Sequence, residues 1–309
     1  MNTDEKFFSK IGLNYFILAI SIIVIQVIIG NVIQLINPSI LDNFNITVII
    51  TSLCNYVLPL PIFLFLMKKL EVIQIEKHDL KLRTFIKYIA ITLTLMWIGN
   101  IIGLTLTAVL GGLMQNDIAN PIQDLLNSTD LWLNLILISF IAPIFEELIF
   151  RKLLIDRTIK YGARVSIILS ALIFGLFHGN LNQFFYAALM GGFFAYVYIK
   201  TGKITYTILL HIIVNLMGSV VSFFVAQAIQ HLLADTINGP ESLILLIYIA
   251  IILISLVIGL YSLARYRKSK FNGAKTQINL KHPLKTMILN YGMIFFIGLF
   301  IFKIINQML

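Results

Sequence analysis

The chain has 309 residues, of which 59% are hydrophobic and only 12% are charged, and its mean hydropathy is +0.93. A soluble domain carries about 25% charged residues, so this chain lacks the polar side chains needed to cover a water-facing surface. The composition therefore excludes a soluble enzyme, a nucleic-acid-binding module and a disordered protein. The formal net charge of +9 arises from basic residues in the gaps between apolar runs, which is typical of a membrane protein.

Apolar runs long enough to cross a bilayer recur along the whole chain. A transmembrane helix needs roughly 20 mostly apolar residues. The stretches that meet or approach this length are 11–36, 45–67, 85–114, 131–155, 165–179, 183–200, 204–229, 243–264 and 286–306. The pattern predicts an all-α, polytopic transmembrane helical bundle of eight or nine spans. The first run is too long for the core of a signal peptide and lacks a small-residue cleavage site, so we interpret it as an anchor.

The basic residues alternate between the gaps. Lysine or arginine residues precede the first span and follow the second, fourth, sixth and eighth spans. Lys303 is an exception to this alternation, because it lies inside the ninth apolar run. The gaps without lysine or arginine lie near residues 37–44, 115–130, 180–182 and 230–242. The positive-inside rule then predicts an integral membrane protein with a cytoplasmic N-terminus, nine crossings and an external C-terminus. In a prokaryote this membrane would be the plasma membrane.

Ionisable residues inside the apolar runs are the first candidates for function, because a charged side chain at the bilayer centre costs about 2.5–3.5 kcal/mol on insertion scales. Of the 14 acidic residues, all but the adjacent Glu146 and Glu147 fall in predicted loops or at span ends. Of the five histidines, His178 and His211 lie inside apolar runs. Three different spans therefore carry intramembrane ionisable residues.

Helical geometry predicts a similar depth for these residues. The turn between the fourth and fifth spans centres on Gly162, and Glu146 and His178 each lie 16 residues from it. At 1.5 Å per residue both are about 24 Å from the turn, so they are level in an antiparallel pair. His211 lies about 12 Å beyond Lys203. Basic residues surround the turn, so we expect the site in the cytoplasmic half of the membrane.

The two adjacent glutamates face different neighbours, because consecutive helical residues are about 100° apart. Glu147 and Arg151 are four residues apart and can pair on one helix face. We therefore expect Glu147 to pair with Arg151 and Glu146 to face a cavity, and the reverse assignment stays open.

Three motifs in this region resemble those of a known family, the CPBP (CAAX protease and bacteriocin-processing, also called Abi) intramembrane proteases. Glu146-Glu147-Leu-Ile-Phe-Arg151 is similar to its EExxxR motif, Phe174-Gly-Leu-Phe-His178 to its FxxxH motif and His211-Ile-Ile-Val-Asn215 to its HxxxN motif. The motifs occur in the family's order on three spans. The resemblance implies a catalytic core of four helices, spans four to seven, within residues 131–229. N-terminal transmembrane helices in 1–130 and C-terminal ones in 230–309 would flank this core.

The expected reaction is hydrolysis of a peptide or lipidated peptide near the cytoplasmic membrane face by activated water, as in CAAX prenyl endopeptidases. No serine or cysteine nucleophile is matched to the site. The expected catalytic residues are Glu146, Glu147, His178, His211 and Asn215, supported by Arg151 and Phe174.

Two mechanisms are compatible with these residues. Glu146 acts as the general base while His178, His211 and Asn215 hold a metal or the oxyanion, or Glu146 is itself a metal ligand. A divalent metal, zinc, bound by His178 and His211 is the expected cofactor, and a metal-free mechanism stays open.

Two other classes of function share part of this pattern. A proton-coupled transporter also places glutamate and histidine on several helices, but the sequence has no long internal repeat of the kind that marks many transporters. An inactive scaffold or bacteriocin-immunity protein on the same fold is disfavoured because no motif residue has been lost. The expected partners are the lipid bilayer and the peptide substrate, with no nucleic acid, and the sequence does not identify the substrate.

Overall fold

The computed structural model describes residues 1–115, 118, 129–266 and 278–308, which are helical apart from the connections and contain no strand. Eight helices in these ranges are long and apolar enough to cross a membrane. They are α1 (Thr3–Ile36), α2 (Phe44–Lys68), α3 (Leu82–Met114), α4 (Leu131–Tyr161), α6 (Leu181–Thr201), α7 (Ile204–Leu233), α8 (Gly239–Tyr266) and α10 (Tyr291–Met308). The apolar α5 (Ala163–Phe177) and the short α9 (Pro283–Ile288) complete the set, with a 3₁₀ turn at Pro38–Ile40. The predicted polytopic helical bundle is confirmed.

Local sequence signals set several helix ends. Asn2 begins α1 with a reciprocal cap, in which its side-chain oxygen accepts from the Glu5 N–H and its own N–H donates to the Glu5 carboxylate. Asn180 begins α6 by accepting from the N–H of Gln183 at 2.8 Å. Between α4 and α5, Gly162 has a φ of +95°, which favours glycine. This turn lets α5 fold back along α4.

Helices α4 to α7 form the centre of the bundle. Helix α6 packs against α5 and α3, and α7 packs against α4. Helices α1, α2 and α10 cover α4 and α5 through an apolar cluster that includes Tyr15, Phe150 and Phe296. Helix α3, with α8 packed against it, covers α6 and α7 through a second cluster that includes Tyr88 and Phe194. The helices that carry the three motifs are therefore enclosed by the remaining spans.

The connecting segments predicted to be cytoplasmic meet at one end of the bundle. Backbone hydrogen bonds of 2.7–2.8 Å join them, from the N–H groups of Ile73, His78 and Ile278 to the carbonyl oxygens of Asp156, Thr201 and Lys160, respectively. This clustering agrees with the alternation of basic gaps. The side of the membrane that this end faces stays a prediction.

The fourth span extends beyond residue 155, where the sequence pattern ended it. Asp156 and Arg157, expected at the span end among the loop charges, lie inside α4 and are buried. Arg157 Nε donates to the Met67 carbonyl at 2.8 Å, and Asp156 Oδ1 accepts from the Tyr198 hydroxyl at 2.7 Å. These partners from α2 and α6 satisfy both charged groups, so the helix continues through residues that the sequence pattern treated as a boundary.

The predicted ninth span, 286–306, is interrupted. Helices α9 and α10 are separate there, because the side chain of Asn290 satisfies backbone groups of both. Its amide nitrogen donates to the carbonyl oxygens of Thr286 and Met287, and its oxygen accepts from the N–H of Met293. Only α10 is long enough to cross.

Two predicted connections fall wholly or mostly outside the described residues. The gap near 115–130 is described only at residues 115, 118, 129 and 130. In the basic gap after the eighth span, residues 267–277 lie outside the described ranges, and they include the basic residues Arg267, Lys268, Lys270 and Lys275.

Candidate active site

A cavity of about 630 Å³ lies between the central helices and α1, α2, α3 and α10. Its volume is within the range of about 300–1,000 Å³ that is usual for ligand pockets. The cavity is lined by all four residues expected to share one, Glu146, His178, His211 and Asn215. The structure therefore brings together residues from α4, from the end of α5 and from α7.

His211 lies between the two glutamates. Its Nδ1 is 2.8 Å from Glu147 Oε1, and its Nε2 is 3.6 Å from Glu146 Oε2. The side chain of Glu147 is completely buried, whereas that of Glu146 is 16% exposed and lines the cavity. The structure thus places Glu146, and not Glu147, where a substrate could reach it.

Glu147 and Arg151 form a buried ion pair. Glu147 Oε2 is 3.1 Å from Arg151 Nε, and neither side chain is exposed. Among the described residues the two terminal guanidinium nitrogens have no hydrogen-bond acceptor. Instead, the guanidinium carbon lies 4.1 Å from the ring centroid of Phe174 and 5.4 Å from that of Phe194. Aromatic faces therefore stabilise a cation that, among the described residues, has one carboxylate in ion-pair contact.

The Phe174 ring connects the buried ion pair to the cavity. Besides contacting Arg151, it meets His178 and His211 edge to face, with centroid separations of 4.8 Å and 5.7 Å. The Phe174 carbonyl is 2.8 Å from His178 Nδ1. Because a carbonyl can only accept, Nδ1 carries the hydrogen and Nε2 of a neutral His178 is left as an acceptor.

Asn215 is oriented by a backbone group that Pro143 leaves free. Residues Asn134–Ile141 of α4 are π-helical, and the N–H of Ala142 donates to Leu137, five residues earlier. The next such bond would join residue 143 to Ile138, but proline has no N–H. Asn215 Nδ2 donates to the Ile138 carbonyl instead, at 2.8 Å. One N–H of the Asn215 amide remains for another acceptor.

Tyr56 is a site residue that the sequence pattern did not reveal. Its hydroxyl donates to Glu146 Oε1 at 2.7 Å, and its ring stacks on Phe145 with a centroid separation of 5.7 Å. Tyr56 lies on α2, 90 residues before Glu146. A tyrosine within an apolar run carries no distinguishing signal, since it is equally common as a packing residue.

Replacing Tyr56 with phenylalanine is expected to lower kcat/KM for the proposed cleavage about tenfold, because a hydrogen bond to a charged group contributes about 1.5–3 kcal/mol. The stacking on Phe145 is kept, so thermal stability should change little. Steady-state cleavage and thermal unfolding measure the two effects. The control is Tyr291→Phe, which makes the same change at an exposed tyrosine. Equal activity of the Tyr56→Phe and Tyr291→Phe proteins would contradict a positioning role for Tyr56.

The predicted metal ligands do not form a three-ligand set. Among the described residues, no group of three or more His, Cys, Asp or Glu side chains could hold a metal ion. Both ring nitrogens of His211 face carboxylates, and Nδ1 of His178 faces a carbonyl. In this arrangement the donors do not fit a zinc site. The zinc cofactor stays a prediction.

Comparisons with known proteins agree with the three motifs. Residues 128–217 match the family model described as Type II CAAX prenyl endopeptidase Rce1-like. A stretch of 87 residues is 34% identical in sequence to "Putative membrane peptidase YdiL" of Bacillus subtilis (strain 168). This stretch covers 27% of the present chain and 34% of that protein. The matched part thus spans about a third of the relative's length. No solved structure matches the chain. The resemblance to the CPBP family, which the motifs predicted, is confirmed.

Proposed function

We propose that this protein is an intramembrane endopeptidase that hydrolyses a peptide bond near the cytoplasmic membrane face with water activated by Glu146. The observation that carries the proposal is the position of the Glu146 carboxylate. It lines a ligand-sized cavity together with His178, His211 and Asn215, and Tyr56 and His211 approach its two oxygens. The match of residues 128–217 to a CAAX prenyl endopeptidase family supports the same reaction class.

In the first step, Glu146 accepts a proton from a water molecule in the cavity. The water oxygen attacks the peptide carbonyl carbon as the proton transfers, which is general-base catalysis. His178 Nε2, the free acceptor of that ring, takes a hydrogen bond from the second O–H of the water and so orients it. Tyr56 holds one oxygen of the Glu146 carboxylate, leaving the other for the proton.

In the second step, the oxyanion of the tetrahedral intermediate accepts hydrogen bonds from Asn215 and His211. Asn215 supplies the N–H that is not used by Ile138. His211 donates to the oxyanion from Nε2 while its Nδ1–H donates to the Glu147 carboxylate, 2.8 Å away. Fixed donors at a developing negative charge are among the strongest contributions to catalysis.

In the last step, Glu146 returns the proton to the amide nitrogen as the carbon–nitrogen bond breaks. The products are a new carboxyl terminus and a free amine, and Glu146 is again a carboxylate. The reaction consumes one water and requires no covalent enzyme intermediate.

The walls of the cavity support an apolar or lipid-modified peptide as substrate. Besides its polar groups, the lining is largely aliphatic and aromatic, with residues such as Leu18, Ile22, Phe44 and Met190. A lipid chain on the peptide would pack against such walls by the hydrophobic effect. The bilayer would then hold both the enzyme and its substrate.

The test is cleavage by the purified full chain in proteoliposomes, in water enriched in ¹⁸O, of a peptide library that includes S-prenylated and unmodified C-termini. We expect mass spectrometry to find one ¹⁸O atom in each new carboxyl terminus. An arm with a zinc chelator tests the cofactor prediction. Cleavage that survives chelation would favour the metal-free mechanism, whereas loss of activity that added zinc restores would establish the metal. No cleavage of any peptide by folded protein would contradict the proposed function.

A further inference from the structure

A chain of hydrogen-bonded side chains begins at the turn after His178 and ends at a tyrosine that the hydrolytic steps do not use. Asn180 Nδ2 donates to the His178 carbonyl at 3.0 Å and to Gln183 Oε1. Gln183 Nε2 in turn donates to the Tyr186 hydroxyl at 2.7 Å. The rings of His178 and Tyr186 meet edge to face, with centroids 6.2 Å apart. Tyr186 therefore lies beside the histidine that orients the attacking water in the proposed mechanism.

The cap of α6 fixes which atom donates at each step of this chain. Asn180 Oδ1 accepts from the backbone N–H of Gln183, so its Nδ2 is the side-chain atom that donates. Gln183 then accepts through Oε1 and donates through Nε2. Because the Tyr186 oxygen accepts that bond, its own hydrogen is left to donate elsewhere. No described residue accepts this hydrogen within hydrogen-bond distance.

Tyr186 lies where two cavities meet. A second cavity, of about 260 Å³, adjoins the catalytic one, and Asn100, Gln183 and Tyr186 line both. Gly99 of α3 lets this part of α6 approach closely, because a Cβ atom on residue 99 would lie 2.6 Å from Tyr186 Cβ. The close packing of α3 and α6 holds the tyrosine in the cavity wall. Its unused hydrogen is therefore available to a ligand in the cavity.

A peptide substrate brings carbonyl oxygens that need donors at such a wall. Lipid offers no hydrogen-bond donor, so the backbone of an extended peptide inside the bundle is satisfied by the enzyme or by water. In the proposed mechanism, Asn215 and His211, both on α7, serve the oxygen of the scissile carbonyl. A donor on α6 is then left for a carbonyl of a neighbouring residue.

We propose that the Tyr186 hydroxyl donates a hydrogen bond to a backbone carbonyl oxygen of the bound peptide next to the scissile bond, an inference that rests on the proposed function and deepens it. Tyr186 then recognises an extended backbone and not a particular side chain. The contact is made in the bound substrate as well as in the transition state. Its loss should therefore raise KM and leave kcat nearly unchanged.

The experiment measures binding to the full chain carrying Glu146→Gln, which removes the proposed base, in nanodiscs. The probe follows from the family match and is a fluorescein-labelled peptide ending in S-farnesyl-cysteine, valine, isoleucine and methionine. In matched versions, one peptide bond between these residues is replaced by a trans-alkene, which has no carbonyl oxygen. We expect one alkene version to bind about tenfold more weakly than the unmodified peptide, as for a lost hydrogen bond. Adding Tyr186→Phe should weaken binding of the unmodified peptide by a similar factor and remove the difference between the two probes.

Two further variants show whether the donor itself is responsible. Tyr196→Phe makes the same change on the same helix, at a hydroxyl that accepts from Lys200 and is not among the residues lining either cavity. It should leave binding of every probe unchanged. Substitution of Tyr186 by 4-aminophenylalanine supplies N–H donors in place of the hydroxyl and should restore most of the binding. Thermal unfolding shows that each variant is folded.

Three results would overturn the inference: no binding of the unmodified peptide, unchanged binding after Tyr186→Phe, or an alkene effect that is the same with and without the hydroxyl. With a cleaved substrate, a fall in kcat at constant KM in the Tyr186→Phe protein would assign the hydroxyl to the oxyanion instead. The proposed function is judged separately, by cleavage with the wild-type chain. Cleavage without a Tyr186-dependent alkene effect would sink this inference alone, and that effect without cleavage would sink the proposed function alone.

Discussion

Replacing Glu146 with glutamine is expected to lower kcat/KM by about 10²–10⁴, the range that general-base catalysis contributes, while the protein stays folded and inserted. Glutamine keeps the shape of the side chain and can still accept a hydrogen bond from Tyr56, whose hydroxyl lies 2.7 Å from Glu146 Oε1. It cannot take a proton from water at neutral pH. The loss should therefore appear in catalysis and not in thermal stability, because Glu146 takes no part in the buried Glu147–Arg151 pair.

The matched control is Glu76→Gln, which makes the same chemical change at an exposed glutamate outside the cavity. Its cleavage rate should equal that of the wild type. Wild-type cleavage by the Glu146→Gln protein would contradict the assignment of the base. If His211→Ala also kept full cleavage activity, the assignment of this cavity as the catalytic site would be wrong.

The sequence could place the site because residue spacing along a helix fixes depth closely enough, even though α4 contains π-helical stretches. Glu146, His178 and His211 lie on apolar helices whose lengths follow from hydropathy, so counting residues from the turn at Gly162 and from Lys203 was enough to predict that they meet. The Glu147–Arg151 pair followed from the spacing of four residues. Both expectations used only the spacing of residues along a helix, which can be counted in the sequence.

Contacts between distant helices could not be predicted in the same way. Tyr56 reaches Glu146 across 90 residues, and Arg157 donates to Met67, also 90 residues away. Hydropathy does not encode which face of α2 meets α4. Such polar contacts explain both the missed site residue and the misplaced end of the fourth span.

Departures from α-helical geometry were also invisible in the apolar pattern. Helix α4 is π-helical on both sides of the glutamates, in Asn134–Ile141 and Leu148–Lys152, and α7 is π-helical in Leu216–Val221, directly after Asn215. Single π turns occur frequently at functional sites. Pro143 was the one visible sign, because a proline inside a helix leaves a carbonyl without its donor. The structure shows that Asn215 uses that carbonyl.

The buried ion pair leads to the largest expected loss of stability. The Arg151 side chain is completely buried, and its Nε lies 3.1 Å from Glu147 Oε2. Glu147→Gln removes the negative charge of this partner. Breaking a buried pair by removing one partner costs about 3–5 kcal/mol. The same change removes the carboxylate that accepts from His211 Nδ1, so we expect activity to fall as well. Reversible unfolding in mixed detergent micelles measures the stability, and cleavage by the remaining folded fraction measures the activity.

The double variant Glu147→Gln/Arg151→Met separates the two effects. It removes the uncompensated cation and places an unbranched apolar chain beside Phe174, so stability should recover, since apolar replacements of buried pairs are often neutral or stabilising. Activity should remain low, because His211 Nδ1 still lacks the carboxylate that accepts its hydrogen bond. Lys152→Met removes a half-exposed lysine from its pair with the buried Asp156 on the same helix. It should cost at most about 1 kcal/mol, because Asp156 keeps its hydrogen bond from Tyr198. Recovery of both stability and activity in the double variant would show that Glu147 serves only to neutralise Arg151.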